Sequence, residues 1–89
     1  MAIIKAFAGA LGVTSTSGPG VSLKSEAIGL AVMTELPLVV VDVQRAGPST
    51  GMPTRTQQCD LISCAYASHG DTKHVLLFPE DPYECFTLT

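Results

Sequence analysis

Apolar residues in this chain gather in short runs separated by Gly-, Pro- and hydroxyl-rich stretches. The strongest run, Leu38–Val41, is unalternating and branched and is closed by Asp42. It predicts a strand over Leu38–Val43 with both sheet faces covered, since one-sided strands alternate. Ala2–Gly9 is apolar all round, with small residues at Ala6, Ala8 and Ala10, and predicts a closely packed helix. Leu11–Ser15 turns β-branched and predicts a short strand. Thr16-Ser17-Gly18-Pro19-Gly20 then reads as a turn.

Val21–Glu35 carries two apolar stripes at helical spacing, one through Ile28, Ala31 and Val32, the other through Leu23, Ala27 and Leu30. It predicts a helix capped by Ser22, contacted on more than one side and ended by Pro37, with Glu26 near its positive end. Gln58–Ala67 predicts another helix, Ser68–Asp71 a turn, and His74–Phe78 a third apolar strand. Pro79-Glu80-Asp81-Pro82 opens a last helix, with acids at its start and Pro82 suited to its first turn. Helices alternating with strands at this spacing predict an α/β fold. Its three layers comprise a parallel sheet of about three strands and crossover helices.

Size and composition narrow the possibilities. The 89 residues make at most one small domain, 46% hydrophobic and 15% charged. That charged share is well below the usual quarter, so either much of the chain is core or part of its surface is meant to be covered by another domain or subunit. The net charge of −3 and five scattered basic residues leave no patch for nucleic acid. The longest apolar run, Leu36–Val41, is far too short to span a bilayer. Three cysteines and no export-signal pattern predict a reducing, cytoplasmic setting without a disulfide framework.

Chemistry concentrates in Arg45–Thr56, RAGPSTGMPTRT, directly after the apolar strand. Ligands of open α/β sheets bind beyond the carboxyl ends of the strands, where Arg45 stands. A guanidinium can hold a carboxylate through two parallel hydrogen bonds, and Ser49, Thr50, Thr54 and Thr56 can complete an anion site. Alternatively, Arg45 and Arg55 are solvated loop residues. TSTSGPG is read as an ordinary strand–helix turn, because it has neither a Walker lysine nor a GxGxxG pattern. His69 and His74 read as surface or interface residues. Cys59, Cys64 and Cys85 read as small buried hydrophobes, because their spacing fits no metal motif. Of the remaining acids, Glu35 reads as an exposed helix end, and Asp42 stays a candidate acid.

The stretch TSTSGPGVSLKSEAIGLAVMTELPLVVVDVQRAGPSTGMPTRTQQCDL resembles the α subunit of 2-oxoacid:ferredoxin oxidoreductases, the 2-oxoglutarate type most of all. HGDTKHVLLFPEDPYECF continues the match, which covers nearly the whole chain. The resemblance implies that residues 1–89 are part of a thiamine diphosphate pyrimidine-binding domain in a longer subunit. It implies oxidative decarboxylation of a 2-oxoacid such as 2-oxoglutarate, with coenzyme A taking the acyl group and ferredoxin the electrons. On this resemblance Arg45 matches the arginine that binds the substrate carboxylate. Thr54, nine positions later, matches a threonine of the same pocket. The family's Tyr-Pro-Ile-Thr-Pro-Ser segment and its aminopyrimidine-activating glutamate fall outside these residues. The Mg²⁺ and diphosphate ligands are expected on a partner β subunit, with γ and δ subunits and iron–sulfur clusters elsewhere in the complex. No metal ligand and no catalytic residue is expected in this chain.

Two other functions compete with this one. The TSGPG turn with its helix and apolar strand also resembles non-redox thiamine diphosphate enzymes of the acetolactate-synthase kind. The low charge suits a non-catalytic interaction module.

Overall fold

The computed structural model describes residues 1–89. Two strands, β1 (Gly12–Thr16) and β2 (Leu38–Asp42), pair in parallel from Gly12 opposite Leu38 to Thr16 opposite Asp42. Equal strand lengths in this register bring both carboxyl ends to one edge. The crossover between them runs through two short helices, α2 (Gly18–Leu23) and α3 (Ser25–Met33). Helix α1 (Ala2–Phe7) lies against β1 and touches β2, and α2 lies against β1 and against α4 (Leu61–Ala65). The last helix, α5 (Pro82–Leu88), is exposed along its whole length. The architecture is α/β, as expected, with two strands rather than about three.

The missing strand is His74–Phe78. Its backbone enters no ladder; His74 N–H donates to Ala65 O at 3.0 Å, and Val75, Leu77 and Phe78 stay exposed. An apolar, β-prone run becomes a strand only when another strand supplies its hydrogen bonds.

The Val21–Glu35 helix begins three residues early, at Gly18, with Ser17 as N-cap and Pro19 in the first turn. Ser22 is not a cap; its hydroxyl donates back to Gly18 O, and that of Ser25 to Ser22 O. Such back-bonding bends helices, and the segment breaks at Lys24 into α2 and α3. Glu26 falls in the first turn of α3, where the helix dipole favours an acid. The helix ends before Pro37 acts. Glu35 adopts φ +55°, Glu35 N–H donates to Val32 O and Leu36 N–H to Ala31 O. These two bonds form a Schellman motif with a non-glycine residue at its left-handed position.

Helix α4 is half the expected Gln58–Ala67. Its N-cap, Asp60, sits at φ +66°, which separates the preceding residues from the helix. Helix α5 begins where proline and acids predict: Asp81 is N-cap, its carboxylate accepts from Glu84 N–H at 2.8 Å, and Pro82 is the first helical residue.

The core is Ala6, Val21, Ile28 and Ala31. Only the stripe through Ile28 and Ala31 is covered; Leu23 is 89% exposed. Strand β2 is half-buried rather than covered on both faces. No helix is long and apolar enough to cross a membrane.

Candidate functional site

The Arg45–Thr56 loop folds back on itself at the carboxyl edge of the sheet. Ala46 bridges to Met52 in antiparallel fashion, and Ala46 N–H donates to Arg55 O at 2.8 Å. Gly51 N–H donates to Pro48 O at 2.9 Å. Gly47, at φ +82°, allows this closure: a Cβ there would stand 2.9 Å from Met52 N.

A second set of bonds returns the chain to β2. Gln44 Oε1 accepts from Cys59 N–H at 3.2 Å, and Cys59 Sγ lies 3.6 Å from Arg45 O. The residues flanking the loop are therefore tied together at the strand end. Asp60 packs its carboxylate on Gly18, where a Cβ would lie 2.5 Å from Asp60 Cγ, so this tie also touches the start of α2.

Between the loop and the ends of both strands lies an open cleft of about 560 Å³. Arg45, Thr54, Arg55 and Thr56 form its loop side, and Ser15, Thr16 and Ser17 form its β1 side. No carboxylate lines it. The structure thus brings Arg45 and Thr54 to one cleft. Ser49 and Thr50 lie at the loop tip instead, and the hydroxyls from β1 take their place. Those three residues belong to the TSTSGPG stretch, which by sequence reads as an ordinary turn. Their hydroxyl content was the available signal.

Arg45 is half-buried and curls along its own loop. Its guanidinium donates to Ser49 O and, at 3.4 Å, to Ala46 O. Those bonds fix the arm while leaving other N–H groups for a ligand, since a guanidinium carries five.

Behind the cleft sits a group of acids and thiols. Cys64 Sγ–H donates to Asp42 Oδ2 at 3.4 Å, and Cys59 Sγ–H to Asp60 Oδ2 at 3.1 Å. Asp42 Oδ1 is enclosed without a hydrogen-bond partner. Burial pushes the Asp42 carboxyl above the usual range, the Cys64 bond opposes this, and the Asp60 charge adds to it. Burial, followed by the bond to Asp42, pushes the Cys64 thiol up to about 11. The bond to Asp60 is the main reason the Cys59 thiol is also raised. All three cysteines are free; Cys59 and Cys64 are half-buried hydrogen-bond donors and Cys85 is exposed, so none is the buried hydrophobe expected. They differ because polar neighbours from β2 and the α4 cap meet two of them, and α5 has no covering layer. His74 Nε2 lies 2.9 Å from Ser68 Oγ, and His69 is exposed away from this cleft.

The cleft's guanidinium and hydroxyl donors match a small carboxylate. The start of α2 does not suit a diphosphate. The Asp60 carboxylate occupies the start of α2, where a diphosphate would be repelled. No three His, Cys, Asp or Glu side chains converge as a metal site.

The family model for pyruvate flavodoxin/ferredoxin oxidoreductase, thiamine diphosphate-binding, matches residues 1–89. The 2-oxoglutarate oxidoreductase subunit KorA of Mycobacterium tuberculosis is 63% identical over 81 residues, 91% of this chain and 12% of the relative. The 2-oxoglutarate synthase subunit KorA of Methanothermobacter marburgensis is 52% identical over 81 residues, 91% of this chain and 22% of the relative. The alpha subunit of 2-oxoacid:ferredoxin oxidoreductase 2 of Aeropyrum pernix is 53% identical over 81 residues, 91% of this chain and 13% of the relative. The chain thus spans less than a quarter of the length of these three relatives. No solved structure matches. With the family model covering its whole length, the chain belongs to the thiamine diphosphate-binding family of pyruvate flavodoxin/ferredoxin oxidoreductases.

Proposed function

We propose that this chain is a segment of the α subunit of a cytoplasmic 2-oxoacid:ferredoxin oxidoreductase of the 2-oxoglutarate type. Residues 1–89 form part of its pyrimidine-binding domain and supply the substrate-carboxylate wall of a shared active site. The observation that carries this reading is the acid-free cleft in which Arg45 and Thr54 meet at the carboxyl ends of β1 and β2.

The whole enzyme converts a 2-oxoacid and coenzyme A to acyl-CoA and CO₂, passing two electrons to ferredoxin. Thiamine diphosphate supplies the carbanion chemistry when bound. A β subunit holds its diphosphate and Mg²⁺, and iron–sulfur clusters reside elsewhere in the complex, as do γ and δ subunits. This chain's own part is binding and orientation. The Arg45 guanidinium, steadied by Ser49 O and Ala46 O, pairs with the C1 carboxylate. The Thr54 hydroxyl donates to the same group. Fixing C1 orients the substrate and removes rotational freedom before reaction.

Arg45→Ala in the complete, assembled enzyme tests the role. Losing a charged hydrogen-bonding partner costs about 2–3 kcal/mol, so kcat/KM for the 2-oxoacid falls by one to two decades. Unchanged kcat and KM would remove Arg45 from substrate binding.

A further inference from the structure

Arg55 takes no part in holding the C1 carboxylate, yet it lines the same cleft as Arg45. The backbone fixes the two residues side by side, because Ala46 N–H donates to Arg55 O at 2.8 Å and Arg55 N–H to Met52 O at 3.1 Å. Their states differ. Arg45 spends part of its hydrogen-bonding capacity on its own loop. The Arg55 side chain is exposed on the cleft and engages no side chain or carbonyl.

Two arginines thus line one cleft whose wall holds no carboxylate. Asp42 and Asp60, behind the wall, are directed to Cys64 and Cys59. A ligand with one negative charge neutralises one arginine. A ligand with two, at opposite ends of a short chain, neutralises both. Thr56, next to Arg55 in the chain, adds a hydroxyl to the same cleft.

We infer that Arg55 is a specificity-determining residue: it receives the distal carboxylate of a dicarboxylic 2-oxoacid while Arg45 and Thr54 hold the carboxylate beside the keto group. The inference rests on the proposed role of Arg45. It assigns selection of dianionic over monoanionic 2-oxoacids to this loop.

The test compares 2-oxoglutarate with 2-oxovalerate, which has the same carbon chain but a methyl group in place of the distal carboxylate. Both are assayed with the complete, assembled enzyme. The quantity read is the ratio of their kcat/KM values. Arg55→Gln lowers that ratio about tenfold to a hundredfold, the range of one charge-assisted hydrogen bond. Arg55→Lys keeps the charge without the planar fork and restores most of the ratio. A ratio unchanged in Arg55→Gln overturns the inference. So does a rise in the KM for coenzyme A with that ratio intact, which would direct the cation to a phosphate of the second substrate. Arg45→Gln is the control. It lowers kcat/KM for both 2-oxoacids alike, because both have the C1 carboxylate. If instead it leaves both unchanged, the carboxylate-holding role of Arg45 fails, whatever Arg55 does.

Discussion

At the scale of single residues, the cleft is backed by a group of acids and thiols. Asp42 ends β2, Asp60 caps α4, and Cys59 and Cys64 bridge to them through S–H bonds. Each shift here favours the protonated form: Asp42, Cys59 and Cys64 are all raised. For Cys64 the sign is direct. Its folded value, about 11, lies above the usual 9.0, so folding favours the neutral thiol. That contribution is complete below pH 9 and is lost as pH climbs through 11. Thiolate is the reactive species, so Cys64 in the folded protein reacts with iodoacetamide at pH 8 about a hundredfold more slowly than an ordinary thiol. Its rate rises about tenfold per pH unit until the thiol titrates. Mass spectrometry of the Cys64 peptide across pH 7–11 reads this out; a rate that levels off near pH 9 would contradict the raised value.

At the scale of elements, the end of α3 carries a removable cost. Glu35 closes a Schellman motif at φ +55°, a conformation that an L-residue with a Cβ adopts at about 1–2 kcal/mol. Glu35→Gly keeps both capping bonds and removes that cost. It stabilises the complete subunit by about 1 kcal/mol, seen as a higher urea midpoint with an unchanged slope. A lower midpoint would show that the Glu35 side chain does more than close the helix.

The same helix shows what sequence alone could convey. Ile28 and Ala31 were legible as core because periodicity is local, and β1, β2 and the start of α5 because their punctuation is local. The place of Arg45 at the cleft was legible because the end of a strand positions the residues that come directly after it. The capture of Gly18 by α2, the left-handed Asp60 and the Gln44–Cys59 tie were not legible, since each depends on contacts distant in sequence. His74–Phe78 has the composition of a strand, yet composition cannot supply the neighbour whose hydrogen bonds would make it one.

At the scale of the whole molecule, the surface is too large for the mass. A monomer of 9.3 kDa is expected to expose about 5,000 Å², whereas this chain exposes 6664 Å². The excess, about 1,700 Å², is roughly twice what one partner contributes to a standard interface. Its location is specific: Ile4 and Phe7 on α1, Leu23 and Met33 along the crossover helices, Val75, Leu77 and Phe78, and Tyr83 and Phe86 on α5. Both outer edges of the two-stranded sheet are also unpaired, and so small a sheet is marginal on its own. These faces belong to the layers that the rest of the subunit and its partners are proposed to cover. The 89 residues alone are therefore expected to lack a cooperative native state. In scanning calorimetry they show no sharp transition, and they bind an anilinonaphthalene dye strongly through the exposed apolar faces. A single transition near 60 kcal/mol, the enthalpy of an ordinary domain of this length, would show that the four-residue core and the α1–sheet contact suffice. Co-expression with the rest of the proposed α subunit and the proposed β subunit reverses both signatures, because covering Leu23, Val75 and Phe86 supplies the burial that the chain by itself does not have.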